Sequence, residues 1–129
     1  MITIPQSVQD KVEGAFYAYF YSTSNEVNIH GVSVRIKRQV DTRPLAWVRK
    51  MLIVSSDAQN QDKWLQIAEH IFLHSDDELL SRFILHRYGI RESAEDTCFE
   101  LGFEKSAYYR YRTAIIYAFA IKAAAKGLL

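Results

Sequence analysis

Apolar residues recur three and four positions apart in one segment after another, a periodicity that a mainly α-helical chain satisfies and an extended one does not. Val8, Val12, Ala15, Phe16, Tyr19 and Phe20 form the first stripe. With Ser7-Val8-Gln9-Asp10 as a capping box, it predicts a helix from about Val8 to Tyr21. Leu45, Val48, Met51 and Leu52 form a second stripe behind Pro44, with Asp41 and Thr42 as candidate caps. Trp64, Leu65, Ala68, Ile71 and Phe72 follow the box Ser56-Asp57-Ala58-Gln59. Leu79, Leu80, Phe83, Ile84 and Tyr88 follow Ser75-Asp76-Asp77-Glu78, and Gly89 is placed to end that helix in a left-handed turn.

One stretch breaks the helical period. Val27 and Ile29, then Val32, Val34 and Ile36, alternate with polar residues around His30-Gly31, which predicts a short β-hairpin or a single strand near residues 27–36. A helix starting between Val34 and Val40 is the alternative. The expected fold class is mainly α, a helical bundle ending in a helix-turn-helix with a short β-hairpin near residues 27–36. Residues 1–55 are read as an N-terminal helical and β segment without an assigned role, and 56–129 as a helical DNA-binding region.

With 49% hydrophobic residues and only 5 glycines and 2 prolines in 129 residues, the chain can bury a core that offsets its conformational entropy, which excludes disorder and collagen-like repeats. Cys98 is the single cysteine, so no intramolecular disulfide can form and a reducing compartment is expected. The start, Met1-Ile2-Thr3-Ile4-Pro5-Gln6, lacks the basic and apolar regions of a secretion signal, and charges interrupt every apolar run before it could span a bilayer. The expected location is cytoplasmic, with no membrane partner.

Sixteen Lys and Arg against fifteen Asp and Glu give a net charge of +1, which by itself offers nucleic-acid binding no support. The charges are segregated, however. Arg35, Lys37, Arg38, Arg43, Arg49 and Lys50 are opposed only by Asp41, the segment 69–104 is rich in acids, and after Glu104 come Lys105, Arg110, Arg112, Lys122 and Lys126 with no acid at all. A neutral total can hide basic surfaces at two segments, although ordinary solvated helix faces give the same pattern.

The C-terminal third carries the strongest functional signal. Ser93-Ala94-Glu95-Asp96 caps a helix of two turns, Leu101-Gly102-Phe103 punctuates it, and a longer helix then runs from about Lys105 to Lys126. A helix-turn-helix at about 93–125 follows, whose second helix presents its N-terminal residues to base edges in the major groove. Cys98, four residues before Gly102, suits the crossing of two helices, and it is expected to be buried and inert. Leu101, Phe103, Tyr108, Tyr111 and Ile115 are assigned to the core. Lys105, Ser106, Tyr109, Arg110 and Thr113 fall on the outward side as DNA-binding candidates, with Arg112 as a phosphate contact. A glycine turn between two helices also occurs in all-α proteins of any function.

The stretch Leu101-Gly102-Phe103-Glu104-Lys105-Ser106-Ala107-Tyr108-Tyr109-Arg110-Tyr111-Arg112-Thr113-Ala114-Ile115 resembles the C-terminal motif of ArpU/RinA-type phage transcriptional regulators. Leu80 to Tyr88 and Ala118-Phe119-Ala120 are similar to that family too, so the resemblance covers about 50 residues. It implies a sigma-factor region-four-like helix-turn-helix and an activator of phage or prophage late genes, with double-stranded DNA and RNA polymerase as partners. Glu104 departs from the family's usual serine, and glutamate is a poorer cap and repels phosphate. Cys98 stands where alanine is commoner.

No catalytic constellation emerges, and the chain is read as a non-enzyme without cofactor. His70 and His74 have a zinc-compatible spacing, but Ile71 stands where a metalloprotease motif needs glutamate. Asp76, Asp77 and Glu78 fit a helix N-terminus, where the dipole favours acids, better than a metal site. Two other readings stay open beside the activator. One is a small-terminase-like DNA-packaging protein, and the other is a helical protein-interaction module using Tyr17, Tyr19, Tyr21 and the basic stretch. A monomer or homodimer fits the activator, whereas a large ring of subunits fits the packaging protein.

Overall fold

The computed structural model describes residues 3–22, 26–29, 32–35 and 44–129. These are mainly helical: α1 (Gln6–Ser22), α2 (Pro44–Ser55), α3 (Gln61–Leu73), α4 (Glu78–Ile84), α5 (Ala94–Leu101) and α6 (Lys105–Ala125). A π-helical turn, Leu85–Ile90, continues α4. Two short strands, β1 (Glu26–Ile29) and β2 (Val32–Arg35), pair antiparallel with Glu26 opposite Arg35 and Ile29 opposite Val32. The expected turn at His30-Gly31, the candidate caps Asp41 and Thr42, and the cations Lys37, Arg38 and Arg43 lie outside the described residues.

Several helices start on a different residue from the one their capping signal suggests. The Pro5 carbonyl accepts the amides of Val8 and Gln9, both at 3.0 Å, so α1 begins immediately after Pro5 and Ser7 lies inside it. Before α3, Asp57 serves the loop instead of capping: its carboxylate accepts Asn60 Nδ2 at 3.2 Å and the Trp64 indole at 3.3 Å, and the helix opens after Asn60. Asp77 caps α4, accepting the amides of Leu79 at 2.9 Å and Leu80 at 3.3 Å, while Ser75 Oγ accepts the amide of Asp77. Ser93 caps α5 as its sequence indicates, accepting the Asp96 amide at 3.1 Å.

Gly89 does not make the left-handed turn expected of it. That conformation falls to Arg91, at φ 64°, whose guanidinium lies 4.1 Å from the Trp47 ring centroid. Gly89 is buried, and a Cβ there would meet Phe20 and Leu85 at 3.1 Å, so its small size is required by packing against α1.

Helix α1 runs through the middle of the core and packs against α2, α3, α6 and the π-helical turn. Phe16 stacks on Tyr88 at 4.9 Å and meets Phe119 of α6 edge-on at 5.4 Å, while Phe20 meets Phe72 of α3 at 4.9 Å. Trp64 stacks on Phe119 at 5.8 Å. The core therefore crosses the boundary expected at residue 55, because the apolar side chains of α1 are buried by helices from the C-terminal part. Where α1 and α2 cross, the Lys50 carbonyl occupies the space that a side chain on Gly14 would need. Gly14→Ala is expected to destabilise the protein by about 3 kcal/mol through overpacking, measurable as a lowered midpoint in urea unfolding.

Candidate nucleic-acid interface

Helix α5 ends at Gly102, whose φ of 67° is costly for residues with a Cβ, and both its amide and that of Phe103 turn back onto the Cys98 carbonyl. This left-handed cap reverses the chain within the three residues before α6. Phe103 stacks on Tyr111 at 4.8 Å, and Phe83 of α4 lies 5.1 Å from Tyr108 and 5.9 Å from Tyr111. The Tyr111 hydroxyl donates to Asp77, the cap of α4, at 3.3 Å. Tyr108, Ile115 and Phe119 are fully enclosed, whereas Leu101, Phe103 and Tyr111 are half-buried. Cys98, expected inside, is also half-buried and packs against the core edge.

The opposite side of α6 is open. Lys105, Ser106, Tyr109, Arg110 and Thr113 are all exposed, Tyr109 to 48%, so adjacent Tyr108 and Tyr109 divide between core and surface as helical geometry requires. Glu104 occupies the cap position of α6 without a side-chain bond to the first-turn amides. Next to these residues lies a groove of about 1020 Å³ between α6 and the segment around Ile4, floored by Ala114, Tyr117, Ala118 and Ile121.

Arg112 also lines this groove, but its side chain is turned toward α1. Its guanidinium bonds Glu13 of α1, Nη2 to Oε1 at 2.7 Å and Nε to Oε2 at 3.2 Å. Glu13 is fully buried and also accepts Lys50 Nζ at 2.9 Å, Arg87 Nη2 at 2.9 Å, Arg87 Nε at 3.1 Å and the Tyr88 hydroxyl at 2.7 Å. Arg87 in turn donates to the Tyr108 hydroxyl. The residue read as a phosphate contact therefore ties α1 to α6 while 24% of its side chain stays exposed, since a guanidinium forked onto a buried carboxylate is held there by charge and two hydrogen bonds.

Burial alone would raise the pKa of Glu13, but the Arg87 charge, the hydrogen bond from Arg112 and the Lys50 charge together hold it well below the usual carboxylate range. Tyr88 is pushed up by burial and then by the Glu13 charge, so it remains a donor. Glu13 was legible as an oddity, because it shares a helical face with Phe16 and Phe20. Its partners were not, since they lie 37, 74 and 99 positions away.

The rings of His70 and His74 lie 5.1 Å apart on the exposed side of α3, and no group of three metal-ligating side chains occurs among the described residues. No helix among them is long and apolar enough to cross a membrane. No protein-family model, curated protein or solved structure matches this chain.

The depressed pKa of Glu13 makes stability pH-dependent. Its contribution is complete above the unfolded pKa of about 4.3 and is lost as pH falls from there toward the folded value. Glu13→Gln leaves Arg87 and Arg112 without a counter-charge and is expected to cost about 3–5 kcal/mol near neutrality. Thermal melts between about pH 6 and pH 3 should show a smaller acid-induced loss for the variant than for the wild type.

Proposed function

We propose that the chain is a DNA-binding transcriptional regulator that reads promoter DNA with the N-terminal turns of α6. The observation that carries this reading is the division of that helix after a tight glycine turn. Tyr108 and Ile115 anchor one side in the core, and Lys105, Ser106, Tyr109, Arg110 and Thr113 stand together on the other. Lys105 supplies a cation for phosphate, Ser106 and Thr113 supply short hydroxyl donors, and Arg110 has the fork that matches guanine in the major groove. Phosphate contact falls to Lys105 and Arg110, because Arg112 is engaged by Glu13.

The end of α6 is suited to this use. The positive end of the helix dipole lies beside Lys105 and the first-turn amides are uncapped, while the exposed Glu104 carboxylate opposes phosphate there. The resemblance of Leu101 to Ile115 to ArpU/RinA-type regulators supports the same reading and narrows it to activation of phage or prophage late genes.

The test is selection of duplexes from a random pool, followed by titration of the best sequence. Arg110→Ala is expected to weaken specific binding by about 1–3 kcal/mol while leaving the melting temperature nearly unchanged, since the side chain is exposed. Lys105→Ala is expected to weaken all sequences alike and to reduce the steepness of the salt dependence by about one charge. Failure to enrich any sequence, or equal affinity of wild type and Arg110→Ala for an enriched one, would remove the assignment.

A further inference from the structure

The same short helix that precedes the turn carries a large exposed aromatic. Phe99 of α5 is 86% exposed, and Glu95 and Asp96, four and three positions before it on the same helical face, are exposed acids. Glu100 adds a third. This is an apolar knob in an acidic collar. The groove beside α6 has the converse chemistry. Its apolar wall presents Tyr117 at 40% and Ile121 at 56% exposure, facing Ile4, while the cations Arg110 and Arg112 line it, Arg112 being already paired with Glu13. No ion pair among the described residues engages Lys105, Arg110 or Lys122.

We infer that the groove is the docking site for a second copy of this chain, which inserts Phe99 of its α5 between Ile4 and the Tyr117–Ile121 stretch of α6. Charge decides the orientation. Two grooves brought face to face would oppose Arg110 to Arg110, and two knobs would oppose Glu95, Asp96 and Glu100, whereas knob to groove pairs these acids with Arg110 at the rim of an apolar contact. Phe99 does not fill its own groove, since it is exposed. Each copy then offers one knob and one groove, so two copies can close reciprocally as a twofold dimer or continue head-to-tail into a ring or chain.

The association has a consequence that rests on the DNA reading, although the association itself does not. Ser106, Tyr109, Arg110 and Thr113 line the same groove, so a seated Phe99 covers the side chains assigned to base edges. Self-association and duplex binding then compete, and the assembled form is a DNA-free reservoir.

The test measures the mass of the full chain by sedimentation across a concentration series. The wild type is expected to pass from monomer to a dimer or larger species, with weaker association at high salt. Phe99→Ser and Ile121→Asp, both surface changes, should each weaken association at least about tenfold. Ile121→Ser replaces the latter if its melt shows unfolding. An equimolar mixture of the two variants should form a one-to-one heterodimer that grows no further, because one retains the groove and the other the knob. A wild type that stays monomeric overturns the inference, as does Phe99→Ser that associates like the wild type or a mixture that does not pair. Phe99→Ser is also expected to match the wild type's affinity for a selected duplex at concentrations where the wild type is monomeric, and to exceed it where the wild type is assembled. Assembly without duplex binding upholds the docking and removes only the DNA reading.

Discussion

Taking the Glu13 carboxylate out of water costs several kcal/mol, which is recovered only by well-placed partners. The chain supplies them from every direction: Lys50 from α2, Arg87 and Tyr88 from the π-helical turn, and Arg112 from α6. Hydrophobic burial is nearly indifferent to direction, whereas these bonds are not, so they select one rotation of each helix about α1 among the many that would bury similar area. The orientation of α6 follows from this centre. With Arg112 pinned to Glu13 and Tyr108 held by Arg87, the first turns of α6 can present only Lys105, Ser106, Tyr109 and Arg110 outward.

Local departures from regular backbone cluster around the same centre. The π-helical turn at Leu85–Ile90 brings Arg87 and Tyr88 onto Glu13. Gly89 allows that turn to lie against Phe20, and Gly14, next to Glu13, allows α2 to come close enough for Lys50 to reach the carboxylate. Arg91 then takes a left-handed conformation, unusual for a residue with a Cβ, and its stacking on Trp47 helps offset the strain.

How much of this was legible depended on the range of the interaction. Helical periodicity is local, so the stripes of α1, α3 and α4 were readable, as were the Ser93 cap and the Gly102 turn, which rest on neighbouring residues. Competition among nearby polar groups was harder to read. Asp77 took the cap of α4 from the serine before it by accepting the first amides, whereas Asp57 was drawn to the Asn60 amide group and the Trp64 indole, so neither it nor Ser56 caps α3. The role of Arg112 was illegible, since its partner is 99 positions away and both a solvated cation and a buried tie fit its place on a helix. The outward side of the first turns of α6 was read correctly, but its continuation was hidden, because apolar residues lie nearly all round that helix and only the packing shows that Tyr117 and Ile121 are left outside.

The net charge of +1 takes on a different meaning once its parts are located. Arg87, Arg112 and Lys50 spend much of their field on Glu13 inside the protein, so the cations that remain free to act at the head of α6 are chiefly Lys105 and Arg110. Close by in the chain, Glu95, Asp96, Glu100 and Glu104 oppose them from the exposed side of α5 and the turn. Counterion release scales with the number of phosphates neutralised, so a head with two free cations beside four acids attracts DNA weakly in the absence of base contacts. An acidic collar that weakens nonspecific binding in one copy is, at the same time, what makes α5 complementary to the groove of another. The two properties come from the same residues, and a protein built this way would exchange between self and DNA according to which partner better satisfies Arg110.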